Sequence, residues 1–233
     1  MDTAIRHPRI LIVSYSRFGA LTVLAKQIAD GARSVKGVEV RFFVVEDAPI
    51  EALRLGEQTG DMAMRRAEVI GELGAADAVI VGAPAYFGGM ASPMKRFFED
   101  CATASNAVVT DRSRPWRHYL FRDKIGAAFT SSATPHGGNE QALHSILTMM
   151  MHLGMIIVTP GQGEPILEND AAPYGATTIT GAHGDRESTQ AEQEAARELG
   201  KRVAVRTAWL MWGKTEWEKI HGAVWTSSNA YPD

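Results

Sequence analysis

Three short stretches combine hydroxyl groups, glycines and aromatic rings in a way that suits ligand chemistry. Tyr15-Ser16-Arg17-Phe18-Gly19-Ala20-Leu21 follows the apolar run Ile10–Ser14 and leads into a segment of helical period. A strand that ends in a Ser- and Gly-bearing turn at a helix N-terminus is a ready anion site, because backbone N–H groups and the positive end of the helix dipole meet there. An ordinary N-cap serine and turn glycine would read the same way. Neither G-x-G-x-x-G nor G-x-x-x-x-G-K-[ST] occurs in this loop, which removes most support for a dinucleotide Rossmann site or an NTPase P-loop. Gly82-Ala83-Pro84-Ala85-Tyr86-Phe87-Gly88-Gly89 sets two adjacent aromatics between Pro and Gly-Gly after another apolar run. Rings on a loop are costly unless something flat and apolar covers them. Thr130-Ser131-Ser132-Ala133-Thr134-Pro135-His136-Gly137-Gly138 offers backbone donors to the polar edge of a heterocycle. A phosphate end, an aromatic wall and a polar edge are together the anatomy of a flavin mononucleotide site.

The elements that must position these loops are apolar runs bounded by breakers: Arg9–Ser14, Val38–Val45, Asp77–Gly82, Lys124–Ser131 and the shorter Met155–Val158. Their β-branched content and continuous apolarity predict buried parallel strands. Helical periodicity fills Leu21–Ser34, Ala91–Thr103, Glu140–Leu153 and Gln190–Thr207. Strand alternating with helix predicts a doubly wound α/β fold in one domain, with ligands at the carboxyl ends of the strands. Two long connections, Ala104–Asp123 and Thr159–Ser188, interrupt the pattern, and connections of that length tend to be functional or disordered. The tail after Trp212 carries Trp217 and Trp225 in a polar context, as a docked helix or a frayed end.

Composition narrows the function classes. The chain has 233 residues, 45% apolar and 22% charged, with a net charge of −3. That balance argues against broad electrostatic binding to nucleic acid or anionic membranes, while leaving room for a local basic patch. One such loop contains Arg112, Arg114, Arg117 and Arg122, a recruiter of a 2′-phosphate or simply a solvated face. The lone Cys101 permits no intrachain disulfide and reads as a small buried hydrophobe on a helix. No signal peptide precedes the first strand and no apolar run reaches the ~18 residues of a membrane span, so the expected location is the cytoplasm. The seven histidines show no H-x-x-x-H or H-E-x-x-H spacing, and no metal is expected.

With these residues in hand, the chain resembles the WrbA family, flavodoxin-like FMN-dependent NAD(P)H:quinone oxidoreductases. The likeness spans about residues 9–205, and its pieces are ILIVSYSRFGAL at 10–21, GAPAYFGGMASPMKRFFED at 82–100, FTSSATPHGGNEQAL at 129–143, HLGMIIV at 152–158 and PYGATTITG at 173–181. The last of these, followed by an acidic-rich helix, is the most specific. The resemblance implies a flavodoxin-like five-stranded parallel sheet of order 2-1-3-4-5, spanning residues 1–212 as an FMN-binding domain with 213–233 as a C-terminal extension. It implies FMN as cofactor, NADH or NADPH as co-substrate, a quinone as acceptor, and a homotetramer whose neighbours wall the flavin site.

By the same resemblance, Ser16, Arg17, Phe18, Gly19, Ala20 and Leu21 match the FMN phosphate loop. Pro84, Ala85, Tyr86 and Phe87 match the segment flanking the isoalloxazine ring, and Ser131, Ser132, Ala133, Thr134, Pro135, His136 and Gly137 match the second flavin loop. His152 matches a histidine near the flavin's open face, a proton donor to the quinone. Phe18 and Trp116 match residues that border the substrate. Three departures stand out: Phe18 where the family usually has Tyr, Ala20 where it often has His, and Pro135 in place of a Gly. The implied activity is two-electron, ping-pong transfer from NAD(P)H to quinones. A flavodoxin-like electron carrier and a redox-inactive partner-binding scaffold are the alternatives.

Overall fold

A computed structural model describes residues 6–45, 60–107, 120–162 and 172–222, with side chains described outside 60–67 and 102–107. Along the chain run β1 (Arg9–Ser14), α1 (Ala20–Arg33), β2 (Glu39–Val44), α2 (Gly60–Ala75), β3 (Ala78–Tyr86), β4 (Gly89–Met90), α3 (Ser92–Ala107), β5 (Ile125–Ser132), α4 (Asn139–His152), β6 (Ile156–Ile157), β7 (Ala176–Ile179) and α5 (Gln190–His221). The main sheet has the order β2-β1-β3-β5-β6, parallel throughout, with β7 also parallel to β5 and β4 a small antiparallel return on β3. Discounting that return, this is the expected 2-1-3-4-5 arrangement.

The fifth strand position is shared. Ile125 and Gly126 of β5 pair with β6, whereas Phe129 to Ser132 pair with β7. β7 lies inside what reads in the sequence as a long connection, because Ala176-Thr177-Thr178-Ile179 is short, half polar and flanked by glycines. Helix α2 has no counterpart in the sequence reading either. Gly60, Gly71 and Gly74 dilute its periodicity, and each interior glycine costs a helix roughly 1 kcal/mol relative to alanine. Helix α5 continues through Thr207 to His221, passing residue 212 without a break.

Alternation along the strands sorts the core into two layers. Leu11, Val13, Val79, Val81 and Ala128 face α2, α3 and α4, where they meet Leu73, Met94, Phe98, Cys101, Leu143, Ile146 and Met150. Ile10, Ile12, Ala78, Ile80, Ala127 and Phe129 face α1 and α5, packing on Leu24, Ile28, Leu199 and Val203. Gly82 makes room for the Phe129 ring: a Cβ there would sit 2.1 Å from it.

The helices of the second layer approach more closely than side chains allow. A Cβ on Gly31 of α1 would lie 1.8 Å from the Arg197 carbonyl oxygen of α5, and one on Gly200 would lie 1.8 Å from that of Ile28. The crossing is backbone against backbone at two reciprocal glycines. This contact seats α1, and with it the loop that α1 caps, against the rest of the sheet.

Candidate functional site

Strand register brings the three expected loops to one edge. Ser14 is level with Gly82, the Tyr15 amide donates to the Gly82 carbonyl at 2.9 Å, and Pro84 is level with Ser131. All three loops therefore leave from neighbouring carboxyl ends, where ligands of open α/β sheets bind. The second and third loops touch, since a Cβ on Gly138 would lie 3.0 Å from the Gly88 Cα.

The first loop is built as an anion receiver. Gly19, at φ 87°, is the N-cap of α1 and supplies no side-chain cap. Ser16 Oγ accepts from the Leu21 amide at 3.3 Å, and Gly19 O from Thr22 at 2.9 Å. The amides of Arg17, Phe18, Gly19 and Ala20 donate to no acceptor among the described residues. No acidic side chain occupies the first turn of α1, so nothing neutralises its positive end. Arg17 is exposed beside these donors.

The aromatic loop is strained in a specific place. Ala85 and Tyr86 are the last residues of β3, and Tyr86 pairs with Gly89 of β4, leaving a two-residue turn of Phe87 and Gly88. Both have positive φ, 52° and 78°. A turn of this kind wants Asn-Gly or Gly-Gly, and a bulky residue at positive φ is an outlier. Phe87 is also completely exposed. A large, fully exposed ring held in a costly conformation points to a partner outside the chain. The Met90 amide donates to Ser145 Oγ at 2.9 Å, which ties this hairpin to α4.

In the third loop, Ser131 and Ser132 end β5 as buried residues, and Ala133 to His136 are exposed. Ser132 Oγ and the Gly137 amide both donate to the Thr134 carbonyl, at 2.7 and 2.9 Å, which closes the segment as a turn around Pro135. Beneath it, Asn139 Oδ1 is buried with no hydrogen-bond partner among the described residues. Unengaged donors at one end, an uncovered ring in the middle and an orphaned acceptor at the other end suit a group with an anionic tail and a flat heterocycle. The donor set therefore fits FMN.

A fourth loop joins the edge, part of the long connection Thr159–Ser188. Beyond β7, the Thr180 amide donates to the Ser132 carbonyl at 2.8 Å, and the turn at Gly184 comes to Phe18, 3.4 Å from its ring to a Cβ placed on that glycine. Glu192 fixes this loop. It accepts from Thr178 Oγ1 (3.0 Å), the Ile179 amide (3.1 Å), Arg186 Nη1 (3.1 Å) and the Thr189 amide (2.7 Å), while its own amide donates to Thr189 Oγ1. Thr189 and Glu192 form a capping box, the sequence signal T-x-x-E that marks this start of α5. Gly175, in the PYGATT segment, lets β7 sit on β5: a Cβ there would lie 2.2 Å from the Ala128 carbonyl. Next to it, Tyr174 packs on His144 with ring centroids 4.6 Å apart.

His152 is not brought to these loops within the chain. It is the last residue of α4, which starts at the site edge and runs back along the sheet; thirteen residues at 1.5 Å rise place it about 20 Å away. The neighbouring Gly154 carbonyl accepts from the Asp123 amide, next to the amino end of β5. His152 is exposed there. Trp116, Arg112, Arg114, Arg117 and Trp225 lie outside the described residues.

Comparison with known proteins agrees with this geometry. Residues 10–164 match the family model for NADPH-dependent FMN reductase. A protein named NAD(P)H dehydrogenase (quinone) from Acidovorax ebreus is 38% identical over 201 residues, 84% of this chain and 94% of its own length. One of the same name from Caulobacter vibrioides is 38% identical over 202 residues, 84% and 95% of the two chains. Among solved structures, a WrbA-like flavodoxin from Agrobacterium tumefaciens superposes with a TM-score of 0.57 at 23% identity, covering 86% of this chain and 97% of its own. A flavodoxin from the domain Archaea gives 0.53 at 22% identity, covering 85% and 98%. These structures share the fold, the flavodoxin-like sheet expected from the sequence, and the relatives bear out the WrbA-family resemblance. The chain belongs to the NADPH-dependent FMN reductase family.

Proposed function

We propose that this protein is an FMN-dependent oxidoreductase of the cytoplasm that carries electrons from NADH or NADPH to a quinone. The observation that carries the reading is Phe87, fully exposed at positive φ between the unengaged amides of the first loop and the orphaned Asn139 Oδ1 of the third. The names of the relatives, NAD(P)H dehydrogenase (quinone), support the donor and acceptor. When bound, FMN supplies the two-electron exchange between nicotinamide and quinone.

The residues of this chain bind, orient and wall the group. The amides of residues 17–20, with Ser16 and Leu21 behind them and Arg17 beside them, receive the phosphate. Pro84, Ala85, Tyr86 and Phe87 wall the ring, and the amides of Ala133, Thr134 and His136, framed by Ser131, Ser132, Pro135 and Gly137, face its polar edge. Phe18, exposed beside Gly184, borders the entry for nicotinamide and quinone. One open face serves both substrates in turn, which gives ping-pong kinetics.

His152, about 20 Å from its own loops along α4, reaches a flavin only across a subunit contact. We assign it to the site of a neighbouring copy in a homotetramer, where its imidazole donates a proton to the quinone oxygen. Trp116 would cover the same pocket. Residues 1–212 form the flavin-binding domain and 213–233 its extension.

The test is reconstitution with FMN, followed by anaerobic NADH and then benzoquinone, read by absorbance. Bound flavin that bleaches with NADH and recovers with quinone supports the reading. Retained flavin that NADH and, in a parallel run, NADPH both leave oxidised overturns the reductase in favour of a carrier. No flavin binding at all overturns both.

A further inference from the structure

The second half of α5 packs on little among the described residues. Its buried residues end at Ala208, and nearly every residue from Trp209 to His221 is exposed or close to it. The helix therefore projects about 20 Å beyond the body it packs on. Isolated helices of this length are marginal in water and normally owe their stability to a buried apolar face. Here that face is uncovered: Trp209, Leu210, Trp217 and Ile220 are all exposed.

These residues form one stripe with Arg202 and Arg206. The positions 202, 206, 209, 210, 213, 217 and 220 recur at helical spacing and lie on one side of α5. At its base the stripe meets a groove of about 530 Å³ between α5 and β6, floored by Ile156 and Val158. Arg202 and Arg206 line this groove and no carboxylate does. Arg202 Nε is buried without a hydrogen-bond partner among the described residues, and the Arg206 guanidinium lies 4.4 Å over the Trp209 ring. Glu216, on the edge of the stripe, is paired with Lys219 at 2.6 Å.

The charge is as uneven as the hydropathy. Lys201 to His221 contains five cations and two carboxylates, a net of +3, against −3 for the whole chain, so the remainder carries −6. Three of the five tryptophans fall between 209 and 217. Tryptophan beside Lys and Arg on one helix face is the composition of segments that lie in the lipid headgroup layer. No described helix is long and apolar enough to cross a bilayer. The relatives cover 84–87% of this chain while being matched over 94–98% of their own length, so part of the chain is additional to them.

The geometry points to an anionic lipid surface as the occupant of this face: the Trp209–Ile220 stripe lies in the headgroup layer, and Arg202 and Arg206 meet lipid phosphates at its base. Two copies pairing through the stripe would oppose +3 to +3. Beyond the groove at its base, the projecting convex half of the helix lacks concave walls that would clasp a peptide. A surface-bound enzyme of this kind would meet acceptors dissolved in the membrane.

Flotation of the full chain with vesicles, with or without added FMN, tests this without using turnover, so it is independent of the flavin reading. The protein is expected to float with vesicles of phosphatidylcholine and phosphatidylglycerol, to stay behind with phosphatidylcholine alone, and to be released by salt. The pair Trp209→Ala and Trp217→Ala is expected to lower vesicle binding at least about tenfold while leaving the thermal melt in place. The pair Arg202→Gln and Arg206→Gln is expected to retain folding and weaken the salt-sensitive part. Absence of flotation with anionic vesicles overturns the proposal, as does flotation unchanged by the tryptophan pair. A doubled mass in light scattering that the tryptophan pair abolishes, with no vesicle binding, assigns the face to a second copy and overturns it too.

Discussion

Glycine does opposite work in two regions of this molecule. At the α1–α5 crossing, Gly31 and Gly200 are absences of side chain that let two helix backbones touch. At the carboxyl edge, Gly19, Gly88 and Gly138 are freedoms of backbone, each at positive φ, that aim amides outward and leave space unfilled. The first region stores stability in closeness. The second gives up stability for exposure, most visibly at Phe87, where the chain accepts a conformation better suited to glycine. The contrast separates what holds the sheet together from what the sheet offers to a ligand.

The largest break in that contrast should come from the crossing. Gly31→Ala or Gly200→Ala forces a methyl into a backbone carbonyl, so the helices must part, and a loss of about 3 kcal/mol or more is expected from denaturant unfolding. Glu192 joins the two regions, since it caps α5 and also holds the end of β7. Glu192→Ala should cost about 2 kcal/mol, and faster hydrogen exchange at Ile179 and the 180–186 turn should accompany it.

Phe87→Gly is the reverse experiment. It removes positive-φ strain while adding unfolded-state entropy, so stability should stay level or rise by up to about 1 kcal/mol. FMN affinity, read by fluorescence titration, should fall about tenfold, the worth of one stacked ring. A variant that gained stability and kept full affinity would place the strain outside the ligand's service.

The smallest effect lies at the opposite, amino edge of the sheet. Burial pushes the Lys124 ammonium down from 10.5 to about 8, against the pull of Asp77 and together with the repulsion of Arg6. Lys124 donates to the carbonyls of Gly74 (2.9 Å) and Ala76 at the end of α2. Between about pH 8 and 10.5 the unfolded chain holds this proton and the folded one does not, so this group makes stability rise with pH across that window. Lys124→Met should flatten the rise in a pH series of melts. FMN binding should be indifferent to the change.

Legibility in the sequence followed physical cause. The continuous apolar runs of β1, β3 and β5 can be strands of little else than a doubly covered sheet; alternation with helices gave the fold class, and their order came from the family resemblance. The loops at Ser16, Tyr86 and Ser131 were legible because hydroxyls, glycines and rings crowd where strands end. Helix α2 was hidden by its glycines, and β7 by its polar threonines, whose burial depends on β5 and Glu192 being in place. The strain at Phe87 has no sequence signal, because Phe-Gly-Gly does not declare which residue takes the positive φ. His152 was legible as a residue type at a matching position, yet its distance from the loops follows only from the direction in which α4 runs.

The divided fifth strand has a consequence for tolerance to change. β6 and β7 are each registered on β5 by their own ladder, at Gly126↔Ile157 and Phe129↔Ala176, so neither depends on the number of residues joining them. Closing a longer connection costs only about 0.6 kcal/mol per doubling of its length. The sheet thus carries a natural insertion port between two fixed anchors. Sequence can be added there, by duplication or by an engineer, without moving a single strand out of register.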